Sequence, residues 1–365
     1  LISAASLIQE GLEMMPDCAD LEIGLHRHDA THYTVDFRFL HPDSDADVRL
    51  LQSTTPPVIE FDLDALRSLE LDPQAYGQTL SQALFAPPEV VTAFQQAFAS
   101  AQTLDAPLRI RFFIGASAPE LHQIRWETLQ PPGDDASSLL TNENILFSRY
   151  LSSTDWRPVQ LRPRSELRVL VMIANPSNIS EYEPGGIALA PVDVAGELQR
   201  IQTALSDVSL TILATTEESN APATASHLIA HLRDGYDILY LVAHGAIIKS
   251  EPYLWLEDDK GAAAVTPGKD LVMQIRELRN RPRLIVFASC QSAGLGSEAF
   301  TSDSPLSMIH SSLSTRLVET GVPAVLAMQG NITMQTVEDF MPVFFKELQR
   351  DGVIDRAMAV ARQTI

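Results

Sequence analysis

The chain has 365 residues, 45% of them hydrophobic and 20% charged, which is ample material for a buried core. Asp and Glu outnumber Lys and Arg 47 to 26, giving a net charge of −21. A field of that sign repels phosphate backbones and anionic lipid, which argues against direct nucleic-acid binding and polybasic membrane attachment.

Cysteine stands only at positions 18 and 290, too few for a disulfide framework, so the expected compartment is reducing and cytoplasmic. The longest apolar runs, such as 238–243 and 284–288, have strand length and fall far below the roughly 20 residues that span a bilayer. The first residues carry neither the basic nor the long apolar region of a secretory leader. Position 1 is Leu and the last residues fall in a helical pattern, so the chain reads as a piece of something longer.

Residues 21–25 and 33–40 alternate like half-buried strands, with a turn expected at 41–45. Residues 75–85 and 88–101 have helical spacing, with Glu89 in a first turn. Residues 108–114 read as a strong strand and 126–129 as another. The polar run from Pro131 to Asp135 and the Pro-rich stretch 158–163 read as surface connections. They divide the chain into an N-terminal α/β region, 1–160, and a second domain, 161–365.

After residue 165 the pattern changes. Residues 167–174 are apolar but for Arg168, the signature of a parallel strand buried on both faces. Helical spacing at 192–205, 223–232, 270–278, 306–319 and 337–348 alternates with strand patterns at 209–214, 236–243, 284–288 and 322–328. Gly321 and Gly352 follow two of these helices, where a left-handed cap is expected. Such alternation predicts an open, mainly parallel sheet with helices on both faces.

Two of these strands end in unusual chemistry. One runs Leu241-Val242-Ala243-His244-Gly245, the other Phe287-Ala288-Ser289-Cys290-Gln291. Functional groups of open α/β sheets collect past the carboxyl ends of strands. If the two strands are neighbours, His244 and Cys290 face one crevice, each followed by a glycine-containing turn. A thiol needs a base to become a thiolate at neutral pH, and imidazole can supply it. The N–H groups of Gly245 and Cys290 then become candidates for an oxyanion hole.

The phrases 238–245 and 288–296 resemble the caspase–separase superfamily, in particular its bacterial CHAT-type caspase-like peptidases; 322–329 resembles the next core strand of that fold. The His-to-Cys separation, 290 − 244 = 46, is close to the caspase spacing of about 50. The resemblance implies a caspase-like sheet over 161–365 preceded by a smaller α/β domain. It implies His244 as general base and Cys290 as nucleophile of an endopeptidase that cuts a protein substrate, needing neither metal nor cofactor. It further implies a bacterial defence or stress system with a regulatory sensor partner or additional domains. The alternative is a catalytically silent regulatory or scaffold module of the same fold.

By the same resemblance, the S1 pocket would be walled by Ala288, Asn175, Met328 and Gln329. None carries charge, so an uncharged P1 residue is expected. Glu298 and Asp303, on the segment after Cys290, are the acidic alternative. The triplet His26, His28 and His32 lacks a matched ligand set and reads as a solvated strand and turn. His227 and His231 share a helix face, but Leu228 stands where a zinc-peptidase motif carries Glu. Thr266-Pro267-Gly268-Lys269 lacks the first Gly and the closing Ser/Thr of a phosphate loop.

Overall fold

The computed structural model describes residues 18–42, 47–51, 55–133, 138–150, 162–186, 188–206, 208–216, 221–248, 251–288, 313–327 and 334–364. They fall into two compact units, one made from residues up to 151 with 354–364, the other from 152–353.

In the first unit, β1 (Ala19–Arg27), β2 (His32–Leu40), β3 (Asp47–Arg49) and β4 (Val58–Glu60) are followed by α1 (Leu63–Ser68), α2 (Pro73–Leu84) and α3 (Pro88–Thr103). Then come β5 (Leu108–Ile114) and β6 (Ile145–Tyr150). The strand order is β3-β2-β1-β5-β6, with β4 also paired to β2. β1 and β2 are antiparallel, whereas β1–β5 and β5–β6 are parallel. Alternation decides which face is buried: Tyr33, Val35, Phe37 and Phe39 of β2 all point into the core. The start of α2 is set by Asp72-Pro73, where Asp72 Oδ1 accepts the Ala75 N–H at 3.0 Å and proline occupies the first turn.

One sequence expectation changes here, and one element is new. Residues 126–129 are not a strand; Trp126–Thr128 is a 3-10 turn. Its indole is wholly buried, donates Nε1–H to the Leu121 carbonyl at 2.9 Å and packs on Phe112 with centroids 4.6 Å apart. That anchor, rather than strand propensity, sets the local backbone. Residues 145–150, between the two stretches read as connections, carry no element in the sequence reading, yet they form β6, which pairs with β5 along its whole length. It is an edge strand with half-buried Ser148, Arg149 and Tyr150, so its apolar signal is short.

The second unit begins with β7 (Arg168–Ile173), α4 (Val194–Ala204), β8 (Ser209–Leu213), α5 (Ala225–Arg233) and β9 (Ile238–Val242). Next are β10 (His244–Ile248), β11 (Glu251–Glu257), β12 (Ala263–Pro267), α6 (Gly268–Arg276) and β13 (Leu284–Phe287). Helix α7 is described over 313–319, and β14 (Ala324–Ala327) and α8 (Met334–Asp351) follow. The order β14-β13-β9-β7-β8 is parallel at every pairing. β9 and β13 are buried at every position, which is why they read as unbroken apolar runs. On one face Leu170, Leu239, Leu241 and Ile285 pack with Leu228, Leu271 and Leu317 from α5, α6 and α7. On the other, Tyr240 meets Phe345 of α8 at 6.2 Å. Gly321 and Gly352 have φ of 97° and 75°, so the glycines after α7 and α8 take the left-handed conformation expected of them.

The chain does not turn after His244. His244–Ile248 is the first strand of an antiparallel sheet, β10-β11-β12, inserted between β9 and α6. The paired strands satisfy one another's backbone, which the sequence pattern of either alone does not reveal. The last helix, α9 (Ile354–Arg362), clusters with the first unit, although the sequence reading carries the second domain to 365. Asp355 Oδ2 lies 2.7 Å from Arg109 Nε of β5, and Gln363 Nε2 donates to the Thr141 carbonyl at 3.0 Å.

At the amino ends of the parallel strands, Asp237 is buried, lies 3.0 Å from Arg283 Nη2 and accepts the Arg168 N–H at 3.0 Å. Removing one member of a buried pair strands the other. Asp237→Ala is expected to lower the unfolding free energy by about 3 to 5 kcal/mol, read from urea denaturation. A loss below about 1 kcal/mol would show that the pair contributes no more than a surface contact does.

Candidate active site

The carboxyl edge of the parallel sheet is held in register by hydrogen bonds that continue past the strands. Ala174 N–H donates to the Val242 carbonyl at 2.9 Å, and Ala288 N–H donates to the Leu241 carbonyl at 3.0 Å. The chain-order pattern of the five parallel strands, second-first-third-fourth-fifth, puts the change of winding direction between β7 and β9. Ligand crevices of open α/β sheets lie at such a point.

His244 leaves β9 at this edge and opens β10, opposite Trp255 of β11. It is 7% exposed. Its Nε2 lies 2.7 Å from the Ala190 carbonyl oxygen. A carbonyl can only accept, so Nε2 carries the hydrogen and Nδ1 keeps a bare lone pair. Burial lowers the imidazole pKa from its ordinary 6.5, opposed by the Ala190 hydrogen bond. The side chain is therefore a neutral base with a defined tautomer.

Ala190 belongs to a strap, residues 176–186 and 188–193, that folds along the face of β10-β11-β12 carrying Trp255. Ile179, Ala246 and Trp255 form a small buried cluster there, with Tyr182 and Leu189 packed on it. Tyr182 meets Trp255 edge to face at 6.0 Å. Ser177 N–H donates to the Gly261 carbonyl at 2.8 Å, and Asn178 Oδ1 accepts the Ala263 N–H at 2.8 Å. At the other end of the strap, Asn175 Oδ1 accepts the Val192 N–H at 2.9 Å.

Of the residues singled out from sequence, His244, Gly245, Asn175 and Ala288 stand at this edge. Gly245 is buried in the β10–β11 ladder opposite Leu254. Ala288 is wholly buried beside Leu241. Asn175 is half-buried, with its amide oxygen engaged by Val192. Cys290, Met328, Gln329, Glu298 and Asp303 lie outside the described residues. Cys18 stands in the first unit, where Arg109 Nη2 donates to its sulfur at 3.4 Å.

Three contributors have no counterpart in the sequence reading. The Ala190 carbonyl is a backbone group that any residue supplies, so no signal exists for it. Trp255 and Glu257 fall on β11, whose sequence 251–257 carries aromatic and acidic residues on one face and Pro252, Leu254 and Leu256 on the other. That alternation was the available signal for a strand. Among the described residues no group of three or more His, Cys, Asp or Glu is arranged to hold a metal ion. At the β1–β2 hairpin, His32 Nδ1 contacts Asp29 Oδ1 at 2.9 Å, with both side chains exposed. No described helix is long and apolar enough to cross a membrane.

The family model of the CHAT domain matches residues 74–365, which takes in most of the first unit as well as the second. No curated protein matches the chain.

The depressed His244 pKa fixes a pH dependence. The unfolded chain binds a proton near pH 6.5 and the folded chain binds it only lower, so the folded state is favoured above 6.5 and loses stability as pH falls through the folded value. Urea midpoints measured from pH 7.5 down to 5 should fall less steeply in His244→Gln than in the parent. Equal slopes in the two proteins would show that His244 titrates like an exposed imidazole.

Proposed function

Because the chain belongs to the CHAT family of caspase-like cysteine peptidases, we propose that it is a cysteine endopeptidase with His244 as general base and Cys290 as nucleophile. The observation that carries this reading is the state of His244: buried, depressed in pKa, its Nε2–H given to Ala190 and its Nδ1 lone pair left to take a proton. Strand register supports the partner. Leu241 and Phe287 are paired residues of β9 and β13, and His244 and Cys290 each follow their member of that pair by three positions. Two residues of chain, at most about 7 Å, separate Cys290 from Ala288.

In this proposal Nδ1 of His244 takes the proton of the Cys290 thiol, and the thiolate attacks the scissile carbonyl carbon. The N–H groups of Gly245 and Cys290 receive the oxyanion. The imidazolium returns its proton to the leaving amine as the C–N bond breaks, which leaves a thioester. Water, deprotonated by the same nitrogen, then hydrolyses the thioester and regenerates the thiol. On the family resemblance, the proposal extends to a regulated protease of a bacterial defence or stress system, answering to a sensor partner.

Cys290→Ala is expected to abolish cleavage of a peptide library. His244→Ala should lower turnover about 10²- to 10⁴-fold, the span of positioned acid–base catalysis. Cys18→Ala should cleave as the parent does. Undiminished cleavage by Cys290→Ala would remove the mechanism.

The S1 walls we propose are Asn175, Ala288, Met328 and Gln329, with Glu298 and Asp303 as the acidic alternative. The first four offer no charge to neutralise a buried ion, so the P1 profile of the library should be dominated by uncharged side chains. Dominance of P1 Arg or Lys would assign the pocket to Glu298 or Asp303 instead, and dominance of Asp would refute both sets.

A further inference from the structure

We infer that Glu257 is a positioning residue for His244, acting through Asn175 and the end of the strap that carries Ala190. The inference deepens the reading of His244 as the base and rests on it.

Glu257 closes β11, two residues beyond Trp255, the ladder partner of His244. It is 2% exposed. Its oxygens accept from three donors: Oε1 takes the Asn175 N–H at 2.8 Å, and Oε2 takes the Ala223 N–H at 3.1 Å and the Thr215 hydroxyl at 3.2 Å. Its own N–H donates to the Ala223 carbonyl at 3.0 Å. These donors come from two connections: Asn175 from the one that leaves β7, Thr215 and Ala223 from the two ends of the one between β8 and α5. A buried carboxyl group is costly unless such donors meet it, so one side chain ties the two connections together.

The tie reaches the base in two further steps. Asn175, fixed through its N–H, turns Oδ1 to the Val192 N–H at 2.9 Å. Val192 stands two residues after Ala190, whose carbonyl takes His244 Nε2–H at 2.7 Å. The contacts of Ser177 and Asn178 pin the opposite end of the strap. The Ala190 end therefore takes its place from Asn175, and Asn175 from Glu257. An amide at 257 has the same size but offers one acceptor oxygen and an NH2 group that faces a donor, so Glu257→Gln breaks the tie without leaving a void.

The test uses the full chain labelled with ¹⁵N histidine, with the His244 imidazole signals assigned by their loss in His244→Gln. At pH 8 the parent should show the tautomer protonated at Nε2. Glu257→Gln and Asn175→Ala should each show mixed tautomers, and peptide turnover should fall about 10²-fold, the cost of a misplaced catalytic group. Asn175→Asp keeps an acceptor for the Val192 N–H and should retain the parent tautomer. A folded Glu257→Gln or a folded Asn175→Ala protein that keeps the parent tautomer would overturn the inference. Should Glu257→Gln fail to fold, Asn175→Ala, at a half-buried position, decides alone. A parent that shows the Nε2–H tautomer but cleaves no peptide refutes the peptidase reading, and the tautomers of the variants still decide the role of Glu257.

Discussion

The backbone of β9 is buried on both faces and can find hydrogen-bond partners only in its two neighbours. β7 meets it on one side and β13 on the other, and both pairings are parallel. Buried N–H and C=O groups tolerate no slippage, because a shift by one residue would reverse every side chain between the two helical layers. The register then carries past the strands through Ala174 and Ala288, which donate to Val242 and Leu241. His244 inherits its position from that constraint. So does the point between β7 and β9 where the winding of the sheet changes direction, the place where open α/β sheets bind ligands.

At the site itself, a backbone group orients the His244 imidazole. The Ala190 carbonyl fixes the imidazole tautomer, and a peptide carbonyl holds its place only if its segment is held. The strap is pinned by Asn178 and Ser177 at one end and Asn175 at the other, over a small apolar cluster centred on Trp255. Burial keeps His244 neutral, and the same low-dielectric surroundings strengthen the hydrogen bonds that orient it.

The first unit has its own logic. Its core is aromatic, with Phe61 edge-on to Trp126 at 5.4 Å and Phe112 beside the same indole. α9 is added to it from the far end of the chain by the Asp355–Arg109 pair and by Arg362 over the Phe147 ring at 5.7 Å. Arg109 also faces Asp20, whose pKa burial raises although Arg109 and Arg111 draw it down. The family match from residue 74 onward covers most of this unit.

The sequence by itself determined the elements whose partners are uniform. β7, β9 and β13 are buried on both sides, so apolar runs alone marked them, and the strand–helix alternation then required a parallel sheet. His244 was legible because an imidazole at a strand end is conspicuous in composition. What only the tertiary structure decided is whatever depends on a particular partner. β6 is half-buried because it is an edge, and Trp126 turns because its indole reaches Leu121. β10, β11 and β12 exist because each completes the backbone of the next. The Ala190 carbonyl and the Glu257 carboxylate lie far in sequence from what they hold. A hydrogen bond between distant residues leaves no periodicity in either segment, so the contacts that orient His244 emerged only once the chain had folded.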